Sequence, residues 1–300
     1  MSATIMDGRA LSRRIVAEVR AHARELAARH RIVPALVAIM VGNDPASRQY
    51  VLNKRRMAAD VGFKSDVIEL DAEAATMESV SAAIARLNAD PAVTGILLQL
   101  PLPRSLDWFR LFDEIAPLKD VDAVSASSVA GFYRGEWGRF ISCTPRGVLA
   151  LLSHYQVPIA GARAVVIGRS DIAGKPLAMI LGGRMCNATV TWCHRHTRDL
   201  GDLCREADIL VSCTGAQTDS GFLITREMVK PGACVIDVGF RRIAAGRFAG
   251  DVDFENVKQV AGWITPNPGG TGPMTVAALM QNVIDAARYQ LGLERAKYSN

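Results

Sequence analysis

The chain has 300 residues, 49% of them hydrophobic and 22% charged, with a formal net charge of +5. That length suits two packed domains of roughly 150 residues, each able to bury its own core. No apolar run approaches the roughly 18 residues of a membrane span. The basic residues are interspersed with acids, which suits a mild attraction for small anions and lacks the concentrated stripe of a nucleic-acid binder.

The opening segment, Met1 to Ile32, is Arg-rich like a transit peptide, but Asp7, Glu18 and Glu25 interrupt it. Leu11, Ile15, Val19 and Leu26 recur at helical spacing, so a folded amphipathic helix is expected, in a protein that stays in the cytoplasm. Pro34 to Val41 then reads as a strand, Ala46 to Val61 as a helix and Lys64 to Leu70 as a strand. Met77 to Leu87 reads as a helix and Gly95 to Leu100 as a strand. After an irregular stretch come a strand at Arg163 to Ile167, a helix at Gly174 to Cys186, and four short β-branched runs. These are Thr189 to Cys193, Ile209 to Cys213, Cys234 to Val238 and Val260 to Ile264. The rhythm predicts an α/β fold of parallel sheets covered by helices, in the doubly wound class. Gly131, Gly135 and Gly138 punctuate a loop that predicts a domain boundary near Trp137 to Thr144. A last helix, Met274 to Leu291, follows a Pro-Gly-rich turn and is expected to return to the first domain.

The six cysteines contain no CxxC pair, and Cys186 and Cys193 match no usual zinc spacing, so buried reduced thiols and no metal site are expected. Strand 163–167 runs into Gly168-Arg169-Ser170-Asp171-Ile172-Ala173-Gly174-Lys175-Pro176. A glycine-bearing turn from strand to helix presents amides and a positive helix end to phosphate. Five residues separate Gly168 from Gly174, and Pro176 stands where a P-loop needs a hydroxyl, which argues against an NTPase. GxGxxG is absent too, so by motif alone a dinucleotide site and a ligand-free βα turn both remain open. The next strand ends at His194-Arg195-His196-Thr197 without an acid. Such donors suit a ribose 2′-phosphate and favour NADP over NAD, unless the side chains simply face water.

Tyr50 and Lys54 lie four apart, on one face of the helix that starts after Asp44-Pro45. A lysine beside a phenol can serve as acid, base or electrostatic stabiliser. On spacing alone, Lys54, Arg55 and Arg56 read as a solvated basic face rather than as a site. Gln99 places an amide at the end of an apolar strand, and Lys119-Asp120-Val121-Asp122 places two acids in a loop.

The ordered set PASxxYVxxK, QLPLP, KDVD, CTPRG, GRSxxxGKP, DVG, GDV and PGGxGPMT spans Pro45 to Thr275. It resembles the methylenetetrahydrofolate dehydrogenase/cyclohydrolase family. The resemblance implies two domains, a folate-binding catalytic domain of 1–142 plus 275–300 and a Rossmann-like NADP domain of 143–274. It implies that Lys54 is the catalytic lysine, that Tyr50 aligns the folate ring, that Gln99 tunes Lys54 and that Asp122 binds the pterin. Pro268, Gly269, Gly270 and Thr275 are implied to close around nicotinamide and folate. Gly168, Arg169, Ser170, His194, Arg195, Gly239 and Phe240 are implied to meet the cofactor. A homodimer, formed through the nucleotide domains, is inherited from the same resemblance. The chain departs from the family pattern at Ala123 (for glycine), in the plain run Ser125 to Ser128, and at Ser142 (for proline). It departs again at Arg241 (for asparagine) and at Asn267 and Thr271 (for apolar residues).

Overall fold

The computed structural model of the chain describes residues 2–134, 140–216, 221–244 and 247–298. Strand β1 (Thr4–Ile5) leads into helix α1 (Gly8–His30), whose N-terminus Asp7 caps by accepting from the Ala10 amide at 3.0 Å. Leu11, Ile15, Val19 and Leu26 are all buried along one stripe of α1.

Strand β2 (Ala35–Val41), helix α2 (Pro45–Asp60), strand β3 (Lys64–Leu70), helix α3 (Met77–Ala89) and strand β4 (Gly95–Leu98) build the first unit. Its three strands are parallel in the order β3-β2-β4. The central strand ALVAIMV is buried at every position, whereas the edge strand β3 alternates with solvent, as covered and uncovered faces require. Asp44 accepts from the Ser47 amide at 2.7 Å and Pro45 occupies the first turn, which fixes where α2 begins.

The stretch that reads as irregular in sequence holds three helices, α4 (Trp108–Asp113), α5 (Ala126–Tyr133) and α6 (Cys143–His154). The first two span two turns or so, too few to set up a legible period. Gly131 lies inside α5, while Gly135, Trp137 and Gly138 of the expected boundary fall outside the described residues.

The second unit runs through β5 (Arg163–Ile167), α7 (Gly174–Gly182), β6 (Thr189–Cys193), α8 (Leu200–Glu206), β7 (Ile209–Ser212) and β8 (Cys234–Asp237). An antiparallel hairpin of β9 (Arg241–Ala244) and β10 (Arg247–Ala249) follows, then α9 (Phe254–Val257), β11 (Trp263–Ile264) and α10 (Thr271–Gln290). The sheet order is β1-β11-β8-β7-β5-β6, parallel throughout. The opening strand of the chain therefore extends the sheet of the second unit. Helix α7 stops at Gly182, four residues earlier than its apolar run, where extended Gly183 turns its amide onto Ile180 O at 3.1 Å. Helix α10 starts three residues earlier than expected, because Pro273 is tolerated in a first turn whose amides have no helical partner. It packs against α1, α6 and α2, and one continuous core joins these helices to β2, β5 and β7.

Strand order reverses at β2 in the small sheet and at β5 in the large one. Such reversals open a crevice at the carboxyl ends of the strands.

Candidate active site

A cavity of about 460 Å³ is lined from both crevices. Helix α2 contributes Ser47, Tyr50 and Lys54, spaced three and four apart on one face. Lys54 Nζ donates to Gln99 Oε1 at 3.1 Å. Gln99 Nε2 donates to the Leu100 carbonyl at 2.5 Å, so the amide is held with its acceptor end toward the lysine. Partial burial raises the pKa of the Tyr50 phenol.

Asp122 reaches the cleft from a loop anchored by its own motif. Lys119 Nζ donates to the carbonyls of Leu87, Asn88 and Asp90 at 2.8, 2.9 and 2.6 Å, satisfying the end of α3. Asp120 is fully buried and accepts from Ser125 Oγ at 2.6 Å, the Ser125 amide at 3.1 Å and Ser128 Oγ at 2.8 Å. Desolvation still raises its pKa, against those hydrogen bonds. The run after Asp122 is thus a clip rather than a plain linker. Ala123, between the two, adopts φ +55°, in the left-handed region that favours glycine. Cys143 is buried beside this loop, and desolvation together with the Asp122 charge pushes its thiol well up. Asn282 of α10 donates to Val121 O at 2.7 Å and Ile141 O at 2.8 Å, tying the Asp122 and Cys143 segments together.

On the opposite wall, the turn after β5 is closed by glycines. Gly168 has φ +117°, and a Cβ there would lie 2.7 Å from Cys213 O. Gly174 packs on Gly168 O too closely for any side chain. Ser170, Ile172 and Ala173 of this turn line the cavity, with Thr214 and Gly215 from the turn after β7. Gly168 lies buried beneath the turn, and Arg169 is exposed beside it, outside the cavity. His194 and Arg195 stand at the end of the edge strand β6; the His194 amide donates to Thr197 Oγ1 at 2.8 Å and Arg195 is exposed. Trp192 Nε1 donates to Gly168 O at 2.7 Å and joins that strand end to the glycine turn. A backbone cradle that only glycine can form, beside basic side chains and no acid at the end of β6, fits a phosphorylated dinucleotide.

The turn after β8 completes the cleft with Gly239 and Phe240. Asp237 accepts from the amides of Gly239 at 2.9 Å, Asp251 at 3.0 Å and Val252 at 3.2 Å, and burial raises its pKa to about 6. Asp251 accepts from Ser212 Oγ at 2.7 Å and from the Thr214 amide and hydroxyl, each at 2.9 Å. Asn267 Nδ2 donates to Gly239 O at 2.6 Å, and Thr271 Oγ1 to Asp237 O at 3.0 Å. Both unexpected polar residues therefore clasp this turn. Arg241 donates to the carbonyls of Gly250 and Gly221, at the base of the hairpin.

Pro268, Gly269 and Gly270 do not line the cavity; their neighbours Asn267, Thr271 and Gly272 do. Gly269 O accepts from the Arg9 amide at 3.1 Å, and Gly8 packs on the Gly270 carbonyl, so this segment seats the start of α1. Thr275 lines the cavity, and its hydroxyl lies 3.2 Å from that of Thr144. Ser47 and Thr144 had no sequence-derived role, although both sit within the motifs quoted above. Ser47 stands three residues before Tyr50, on the same helix face, which is a signal for it; Thr144 carries only its place in the CTPRG motif. Five of the six free cysteines are buried. Among the described residues, no group of three His, Cys, Asp or Glu side chains is arranged to hold a metal ion. Among the same residues, no helix is long and apolar enough to cross a membrane.

Residues 6–122 match the model of the tetrahydrofolate dehydrogenase/cyclohydrolase catalytic domain, and residues 142–291 that of its NAD(P)-binding domain. The chain belongs to this family. The bifunctional protein FolD of Polynucleobacter asymbioticus is 47% identical over 96% of the chain and 98% of its own length. The crystal structure of the bifunctional FolD of Campylobacter jejuni superposes with a TM-score of 0.91 at 39% identity, covering 96% of this chain and 99% of that one. The Trypanosoma brucei methylenetetrahydrofolate dehydrogenase-cyclohydrolase, solved with NADP and an inhibitor, gives a TM-score of 0.92 at 36% identity. It covers 97% of this chain and 99% of that one. The second family match runs through α10, the helix whose core residues cluster with those of β2 in the first unit and β5 and β7 in the second.

Proposed function

We propose that the chain oxidises methylenetetrahydrofolate to methenyltetrahydrofolate with NADP⁺ and hydrolyses that product to 10-formyltetrahydrofolate in the same cleft. The observation that carries this reading is the Lys54–Gln99 hydrogen bond at 3.1 Å, set beside Tyr50 and Asp122 and facing the glycine turn of the family's NAD(P)-binding domain. When bound, NADP⁺ supplies the hydride acceptor. Gly168, Arg169, Ser170, His194 and Arg195 would hold its phosphates, and Gly239, Phe240 and Thr275 its nicotinamide end. In the oxidation the protein mainly orients, with Tyr50 against the folate ring and Asp122 on the pterin.

In the hydrolysis, water adds to the methenyl carbon and loses a proton, and a ring C–N bond then breaks as that nitrogen is protonated. Lys54 Nζ is the group placed to move that proton and to stabilise developing charge, with Gln99 fixing its direction. Pro268 to Gly270 act at one remove, by seating α1 and the clasp residues. Helix α10 belongs with the folate-binding unit in this reading and carries Thr275 to the boundary with the nucleotide unit. The protein works in the cytoplasm, as a homodimer joined through its nucleotide-binding units.

The test is absorbance during turnover with methylenetetrahydrofolate and NADP⁺, repeated with NAD⁺. NADPH should form without lasting accumulation of methenyltetrahydrofolate. Lasting accumulation would leave a dehydrogenase alone and trace the loss to the strained loop at Ala123. In Lys54→Met the hydrolysis should fall by about 100-fold or more; unchanged hydrolysis would remove Lys54 from the chemistry.

A further inference from the structure

Tyr50 and Phe240 approach the cleft from opposite walls, α2 and the turn after β8. Their rings meet edge to face, with centroids 5.6 Å apart and planes at 69°. Phe240 also stacks on Phe248 of β10, at 4.5 Å and 20°. The three rings are 39%, 45% and 37% exposed, in that order, so they stand at the solvent edge of the cavity. Leu98 and Cys143, deeper in, are buried, and Lys54 and Gln99 lie between.

The backbone that carries Phe240 is held on three sides. Asn267 Nδ2 binds Gly239 O at 2.6 Å, and Asp237 Oδ1 binds the Gly239 amide at 2.9 Å. Gly215, at φ +59°, packs so that a Cβ would lie 2.7 Å from Phe240 O. A fixed backbone under a half-exposed ring leaves side-chain rotation as the motion available, and such rotations are fast.

We propose that Phe240 is a gate on the folate cleft, closing on Tyr50 over the Lys54–Gln99 pair and retaining the methenyl product until it is hydrolysed. This rests on the function proposed above. The methenyl product has no covalent bond to the protein, so escape competes with hydrolysis. An apolar ring pair across the mouth slows escape without touching the reacting centre. Phe248 gives the closed ring a face to rest on.

A gate alters the rates of entry and exit together, whereas a simple contact chiefly alters exit. In Phe240→Ala, the association and dissociation rates of tetrahydrofolate should both rise about two- to tenfold, the worth of a lost aromatic pair. These rates are read by stopped-flow fluorescence without cofactor, and Kd should change little. During turnover, the share of methenyltetrahydrofolate released per NADPH formed should rise by a similar factor. Phe240→Tyr, which keeps the ring, should leave both cofactor-free tetrahydrofolate binding rates within about twofold of those of the unmodified protein. Faster dissociation alone with a weaker Kd would make Phe240 a plain contact and overturn the gate, as would unchanged rates. A protein that binds tetrahydrofolate yet reduces neither cofactor would overturn the proposed function, while its binding rates still decide the gate.

Discussion

Ala123 carries more strain than its size suggests. Its φ of +55° brings the Cβ close to the backbone, and its methyl is 1% exposed, so it has no freedom to relax outward. The hydrogen bonds from Ser125 and Ser128 to buried Asp120 hold the segment in that conformation. Ala123→Gly removes the crowding and adds entropy to the unfolded chain, two effects of opposite sign. A net gain of about 0.5 to 1 kcal/mol is expected, read as a higher urea midpoint. A lower midpoint would mean that the methyl's packing outweighs its strain. The residues of the Lys54–Gln99 pair, by contrast, were legible in the sequence once the ordered motifs were read together. A helix face and the end of a strand specify them, and neither depends on an unusual torsion.

At the level of elements, the turn after β8 gathers two buried carboxyls, Asp237 and Asp251, within one network of amides and hydroxyls. Desolvation first, and the neighbouring Asp251 charge among further causes, raise the pKa of Asp237 from 3.8 to about 6. Between those values the folded protein holds a proton that the unfolded chain releases. The stabilisation is therefore complete below about pH 4 and lost as pH rises through about 6, on the order of 2 to 3 kcal/mol. Urea midpoints of Asp237→Asn should lack that decline between pH 4 and 7, whatever their absolute level. An unchanged slope would assign the titration to another group. The sequence showed DVG and GDV as separate motifs. Their junction depends on β7, β8 and the returning loop lying side by side, which no local period encodes. The clasp residues Asn267 and Thr271 looked like simple departures for the same reason.

For the whole molecule, α10 is the element through which the two units share a core, and its buried charge is the most exacting part of it. Asp285 is fully buried and accepts from Arg146 of α6 at 2.9 Å, Arg295 at 3.0 Å and the Ala296 amide at 3.2 Å. Removing it leaves the buried Arg146 guanidinium with the neutral Asn282 oxygen but no countercharge, which costs far more than the pair itself contributes. Asp285→Ala should lose about 3 to 5 kcal/mol by denaturant titration. A loss below about 1 kcal/mol would mean that Arg146 finds water or another acceptor. Taken by itself, the sequence determined the parallel α/β class, the stripe of α1, the caps of α2 and the chemical identity of the cleft residues. Periodicity, capping and motif order are local properties of the chain. Only the tertiary structure decided that β1 joins the distant sheet, that Pro268 to Gly270 seat a helix, and that Phe240 meets Tyr50. Each of these depends on contacts between segments far apart in sequence, where burial and hydrogen-bond satisfaction in three dimensions set the outcome.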